Sequence, residues 1–332
     1  MVESGMMLAY GVAGLLLISI LVLAGLWVFS RLVSSKIIKS MPPRGRKVSV
    51  SGGELHLVES GQGRVIVMLH GLTGNLHNFT YAMTEPLSKD FRVIAIDRPG
   101  CGHSTRDSNE QARLPEQARM IAEFLALEGI EDALIVGHSL GGAVALAMAL
   151  DYPERIGGLA LIAPLTGQQT KVPSAFKGIS VADPVMRRLV AETLAIPGAI
   201  MNGAHVASVI FGPDAVPKDF SKRGGGLLSV LPSAYYTAAT DIHAVPLDLA
   251  SQVARYNELK LPIGMIYGDD DGVLKPATHI AAIREVRPDM ELQMLENTGH
   301  MPLVSQVDAT TAFIRRMAEK SPVRVSKPQS VA

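Results

Sequence analysis

Gly137-His138-Ser139-Leu140-Gly141 places a serine at the centre of a G-x-S-x-G spacing, and its flanks make that serine a nucleophile candidate. The preceding Ala133-Leu134-Ile135-Val136 is short, apolar and partly β-branched, as a buried parallel strand requires. Ala143 to Leu150 consists largely of strong helix formers. A strand that turns sharply into a helix at Ser139 strains the serine backbone, and glycines two before and two after it remove the side chains that would clash. Such a turn lifts the hydroxyl out of the sheet. The helix opening at Leu140 aims free N–H groups and the positive end of its dipole at the same spot.

A serine hydroxyl is a poor nucleophile at neutral pH and needs a general base held by a third group. Glu291-Leu292-Gln293-Met294-Leu295 reads as a strand, and the loop after it, Glu296-Asn297-Thr298-Gly299-His300, ends in a histidine. His300 is the candidate base. Pro262 to Tyr267 reads as another buried strand, opening into Gly268-Asp269-Asp270-Asp271-Gly272. An aspartate there would fix the imidazole tautomer and stabilise the imidazolium, which leaves Asp269, Asp270 and Asp271 all eligible.

In this order the residues resemble the α/β-hydrolase family, whose nucleophile, acid and base run as Ser139, Asp271, His300 do here. His70-Gly71-Leu72, after the apolar run Val65–Leu69, is similar to the family's first oxyanion-hole segment. Asp97-Arg98-Pro99-Gly100-Cys101-Gly102-His103-Ser104, after Arg92–Ile96, is similar to its D-x-P-G-x-G-x-S turn. The resemblance covers about residues 47–320. It implies Asp271 as the acid, with Asp269 and Asp270 as solvated loop carboxylates, and the backbone N–H groups of Leu72 and Leu140 as the oxyanion hole. It further implies a cofactor-free serine hydrolase of carboxylic esters working through an acyl-enzyme, esterase- or lipase-like, and it fits single-pass monoacylglycerol lipases. Epoxide hydrolases and haloalkane dehalogenases resemble the chain less, because they carry aspartate where Ser139 stands. Thioester, lactone and carbon–carbon bond hydrolysis, acyl transfer, and a non-catalytic membrane-tethered binding protein are the competing readings. His70 and His138 read as structural; His103, His205 and His243 are at most cleft-facing.

Composition narrows the classes. With 31 basic and 31 acidic residues in 332, the chain has no net charge to attract nucleic acid, and it shows no basic-aromatic platform. No pair of histidines or carboxylates has metal-ligand spacing, and the aspartate run lacks the rest of a calcium loop, so no metal is expected. The single cysteine, Cys101, forms no intramolecular disulfide.

Met7 to Phe29 is a run without a single charge, long enough as a helix to cross a bilayer core of about 30 Å. A cleaved signal peptide is the alternative, with Val28-Phe29-Ser30 as a weak cleavage site, but the segment before the run has no basic residue. Arg31, Lys36, Lys39, Arg44, Arg46 and Lys47 follow the run closely. That bias keeps the following domain cytoplasmic in a single-pass protein; cleavage would instead export it.

The order of elements predicts an α/β fold with a mostly parallel sheet covered by helices on both faces. We divide the chain into an anchor and basic linker (1–46), a hydrolase core (47–164 and 246–320), an insertion (165–245) and a disordered tail (321–332). By resemblance the insertion is a helical cap over the site. Its Met186, Met201, Phe211, Phe220, Leu231 and tyrosines either line an apolar substrate tunnel or pack the cap onto the core. The expected partners are a small ester, lipid-like or apolar, and the bilayer; the oligomeric state is left open.

Overall fold

The computed structural model describes residues 2–169 and 172–321, so the expected tail lies outside the described residues except for Ser321. One sheet contains β1 (Arg46–Val50), β2 (Gly53–Ser60), β3 (Val65–Leu69), β4 (Arg92–Ile96), β5 (Ala133–His138), β6 (Ile156–Ile162), β7 (Ile263–Gly268) and β8 (Glu291–Leu295). Their spatial order is β1-β2-β4-β3-β5-β6-β7-β8. β2 pairs antiparallel with β1 and β4, and every other pair is parallel. β3 to β7 read as nearly unbroken apolar runs because both faces are covered, whereas β1, β2 and β8 carry charged or polar residues and are partly exposed. Val67, Leu69 and Ile135 face one core cluster, while Ile66, Met68 and Val136 face the other.

The longer helices are α1 (Val2–Ser40), α2 (Leu114–Leu127), α3 (Leu140–Asp151), α4 (Pro184–Thr193), α5 (Ala195–Phe211), α6 (Pro232–Ala254), α7 (Pro276–Arg284) and α8 (Val307–Lys320). α2 buries Met120, Ile121, Phe124 and Leu125, the stripe its periodicity predicts. α3 is buried from Leu140 to Ala149, and its alanines and glycines allow close packing on β5 and α2. Because β3, β5, β7 and β8 run parallel, they end on one edge of the sheet. There the chain presents His70, Ser139, Asp271 and His300.

Between β6 and β7 lie α4, α5 and α6. The sequence suggests a helix only from Gly203, but α5 begins at Ala195. Pro197 sits in its first turn, where a missing N–H costs no hydrogen bond. α6 runs unbroken through position 245, where the sequence reading ends the insertion. α1 is long and apolar enough to cross a membrane, and its most apolar window is unburied. Ile37 in its last turn and Met41 just beyond it pack against Leu228 and Leu231 of the insertion.

Candidate active site

Ser139 joins β5 to α3 with φ 53° and ψ −120°, a region that costs a side-chain-bearing residue about 1–3 kcal/mol. The surroundings enforce it. Its N–H donates to the Ile162 carbonyl at 3.0 Å, and its own carbonyl accepts the N–H groups of Gly142 and Leu165, each at 2.9 Å. A Cβ on Gly137 would lie 2.6 Å from the Gly141 carbonyl oxygen, and one on Gly141 would run into the Leu69 carbonyl. Gly142 is a third requirement that the pentapeptide does not announce, since a Cβ there would meet Pro164.

His300 Nδ1 lies 2.7 Å from Asp271 Oδ2, and both residues are buried. The other carboxylate oxygen of Asp271 accepts the N–H groups of Val273 and Leu274, each at 2.8 Å. Burial alone would raise this carboxyl, but the charge and hydrogen bond of His300 and those two N–H groups hold it below its ordinary range. Asp269 and Asp270 are exposed. Asp269 only accepts the Thr298 N–H, at 3.4 Å.

Four hydrogen bonds invisible in the sequence hold the His300 loop and the turn after it. The His300 N–H donates to the Ile210 carbonyl in α5 at 3.2 Å. Asp214 Oδ2 accepts the Gly299 N–H and the Ser305 hydroxyl, both at 2.9 Å. His138 Nε2 donates to the His300 carbonyl at 2.9 Å. Burial, followed by the neighbouring His300, pushes His138 down to about 3, so it is a neutral strut between the serine turn and the His300 loop. The Asp214 and His138 contacts span 85 and 162 residues, and no local pattern encodes such pairs.

The segment after β3 lies against Ser139. A Cβ on Gly71 would stand 2.9 Å from Ser139 Cβ and 3.1 Å from His138 Nδ1. Among the described residues, the backbone N–H groups of Leu72 and Leu140 have no backbone acceptor. His70 donates from Nδ1 to the Gly71 carbonyl at 2.8 Å and accepts the Arg98 N–H at Nε2 at 2.9 Å. Burial and the Arg98 charge press it down to about 3, so the ring is neutral with both nitrogens engaged by backbone. The fully buried Arg98 guanidinium donates to the His70 and Gly71 carbonyls at 2.8 and 3.1 Å and pairs with Asp241 of α6 at 3.1 Å. Arg106 pairs with the other oxygen of Asp241 at 2.6 Å. Asp97 accepts the N–H groups of Leu76 and His103 and a hydrogen bond from His56 Nδ1. The D-x-P-G-x-G-x-S turn is therefore the brace of the segment beside Ser139.

Two cavities share Ser139, Leu72 and Phe176 in their walls. The larger, about 490 Å³, also reaches His300 and α5; the smaller, about 310 Å³, extends between Leu140, Val245, Leu249 and Leu274. Of the apolar residues named from sequence, Phe211 and Phe220 line the larger cavity. Met186 and Met201 instead face outward. Leu231 packs against the end of α1, and the Tyr235 hydroxyl donates to the Gly178 carbonyl. His205 borders the larger cavity, while His103 stacks edge-on against His56. Among the described residues no cluster of histidine, cysteine and carboxylate side chains is placed to hold a metal ion.

A family model described as alpha/beta hydrolase fold matches residues 64–306. The chain is 24% identical over 263 residues to Lipase 1 of Psychrobacter immobilis, covering 78% of this chain and 79% of the relative. It is 26% identical over 264 residues to a 2-hydroxy-6-oxo-6-phenylhexa-2,4-dienoate hydrolase of Burkholderia cepacia, covering 78% and 89%. Among solved structures it is similar to a membrane phospholipase A described as a bacterial virulence factor, with a TM-score of 0.62 and 20% identity over 94% of this chain and 97% of that one.

Proposed function

We propose that this chain, which belongs to the α/β-hydrolase fold family, is a membrane-anchored serine hydrolase that cleaves carboxylic esters with apolar or lipid-like acyl chains. The contact that carries this reading is His300 Nδ1 to Asp271 Oδ2 at 2.7 Å, at the wall of the cavity that Ser139 lines. With Nδ1–H donating to Asp271, Nε2 is the ring nitrogen left to accept a proton. Ser139 Oγ attacks the ester carbonyl carbon as its proton passes to His300. The resulting oxyanion accepts the N–H groups of Leu72 and Leu140, donors aimed at charge that exists only during reaction. Collapse expels the alcohol, which takes the proton from His300. Water then attacks the acyl carbon, giving its proton to the same nitrogen, and a second collapse frees the acid and restores Ser139. Asp271 stays ionised throughout and orients the ring.

Two apolar cavities meeting at Ser139 favour an ester with sizeable groups on both sides of the bond. Kinetics on esters of graded acyl length, beside a thioester, a lactone and a dienoic diketone, test the substrate class. The highest kcat/KM is expected for a long-chain ester. The diketone belongs in the panel because a relative is named for carbon–carbon bond hydrolysis; its preference by this chain would replace the ester reading.

The uncharged run Met7 to Phe29 and the basic residues from Arg31 to Lys47 support a retained anchor with the domain on the cytoplasmic side. The likeness to the membrane phospholipase A leaves fewer residues of this chain outside it than α1 contains. The protein should resist extraction by alkaline carbonate, and protease added to intact cells should spare the domain. A mature N-terminus near Arg31, or digestion without lysis, would show export.

A further inference from the structure

α5 has two faces of different use. Gly198, Ala199, Asn202, Gly203, Val206 and Ile210 recur at helical spacing along the larger cavity. The opposite face carries Ile200 and Met201, 66% and 81% exposed. α5 contains no Asp, Glu, Lys or Arg. α4 meets it at a bend of 76° and adds Val185, 76% exposed, with Met186 and Leu189 also exposed. A helix pair with this much apolar surface is poorly suited to water.

Its position relative to α1 says what covers it. A groove has Ile20, Leu23 and Trp27 of α1 on one side and Val185 and Leu189 of α4 on the other. Ile20 lies about 10 Å along the helix axis from Trp27, inside the uncharged run. α4 is held there by the Ser30 hydroxyl on the Thr193 carbonyl at 3.3 Å and by Arg31 with Glu192 at 3.4 Å. Glu192 and Arg31 thus meet at the end of the run; Arg188, which also lines the groove, turns to Glu192 at 3.9 Å and lies over the Tyr236 ring, and Val185 and Leu189 lie beside the apolar turns of α1.

We propose that α4 and α5 are seated in the leaflet on the domain side of the bilayer, their exposed apolar face among phospholipid acyl chains, so that the Ser139 cavity is fed from lipid. The proposal rests on the anchor reading above and assigns its ester substrate a route. α5 then forms a thin wall between bilayer and cavity, and its C-terminal end, through the Ile210 carbonyl, also holds His300.

The test uses the full chain in phosphatidylcholine–phosphatidylglycerol vesicles containing a doxyl-labelled lipid. Val185→Cys, Met201→Cys, Leu21→Cys and Glu285→Cys each carry a bimane. Cys101 is buried, its thiol pushed up to about 12 by that burial, and gives little background. Lipid-borne quenching is expected at Val185 and Met201 to the extent seen at Leu21, and not at Glu285. Quenching at Leu21 alone would overturn the proposal while leaving the anchor; no quenching at Leu21 would overturn both. Independently, Ile200→Asp with Met201→Asp should lower kcat/KM for a vesicle-borne ester by about tenfold or more, since charge is poorly tolerated among acyl chains. The same variant should leave turnover of a water-soluble short-chain ester unchanged. An equal loss on both substrates would contradict entry from lipid.

Discussion

Gly71 and Ser139 are packed so closely that a Cβ on Gly71 would stand 2.9 Å from the Cβ of Ser139. The missing side chain lets the backbone after β3 rest on the serine, and the proposed oxyanion donor Leu72 is the next residue. Gly71→Ala forces the two apart. The expected result is a fall in kcat for ester hydrolysis of about a hundredfold or more, the scale of losing one oxyanion donor, beside an overpacking cost of about 1–3 kcal/mol in stability. Steady-state kinetics on the folded variant check this, and a near-normal kcat would remove Leu72 from the oxyanion hole.

Asp271→Asn should keep the fold but leave His300 without an ionised partner, favouring the wrong tautomer. A loss in kcat of about a thousandfold or more is expected. Asp269 and Asp270 are exposed, and their asparagine variants should stay close to wild type. Parallel kinetics on the three variants decide the acid, and a larger loss at Asp269 or Asp270 would displace Asp271 from that role.

Asp241 is fully buried and takes both Arg98 and Arg106. Asp241→Ala strands two buried guanidinium groups, and removing one member of such a pair costs about 3–5 kcal/mol. Denaturant unfolding in detergent micelles should show that loss. Because Arg98 also holds the His70 and Gly71 carbonyls, residual activity should fall as well. An unchanged midpoint would mean that the network contributes nothing.

Burial holds His70 and His138 down to about 3 and His279 to about 4, against an ordinary value of 6.5. Between those limits the unfolded chain binds protons that the folded chain refuses. The contribution of these histidines is therefore intact above about pH 6.5 and is lost progressively as pH falls toward the folded values. The thermal midpoint should drop from pH 7 to pH 5, with about three protons from these side chains taken up on unfolding near pH 5. A midpoint that is flat or rises over this range would contradict neutral, buried imidazoles.

The serine turn is legible in the sequence because its cause is local: β5, the glycines and α3 are contiguous, and their periodicities change at Ser139. His300 is legible because it ends the loop after β8. Asp271 is less so, since three aspartates share one loop and only the family order singles one out. What holds these residues is not legible. Arg98 on Asp241, Asp214 beneath Gly299 and His138 on the His300 carbonyl join distant segments, and each partner looks ordinary in its own neighbourhood. Met186 and Met201 show a second limit, because apolarity predicts burial but does not say whether protein or another phase supplies it.

The most direct measurement is the reaction of the full-length, folded protein with a fluorophosphonate, followed by peptide mass mapping and parallel ester assays. A single adduct on Ser139 is expected, formed in proportion to lost activity, absent in Ser139→Ala and much slowed in His300→Ala. Ester turnover that persists in folded Ser139→Ala, or an adduct on another residue that tracks inactivation, would contradict Ser139 as the nucleophile.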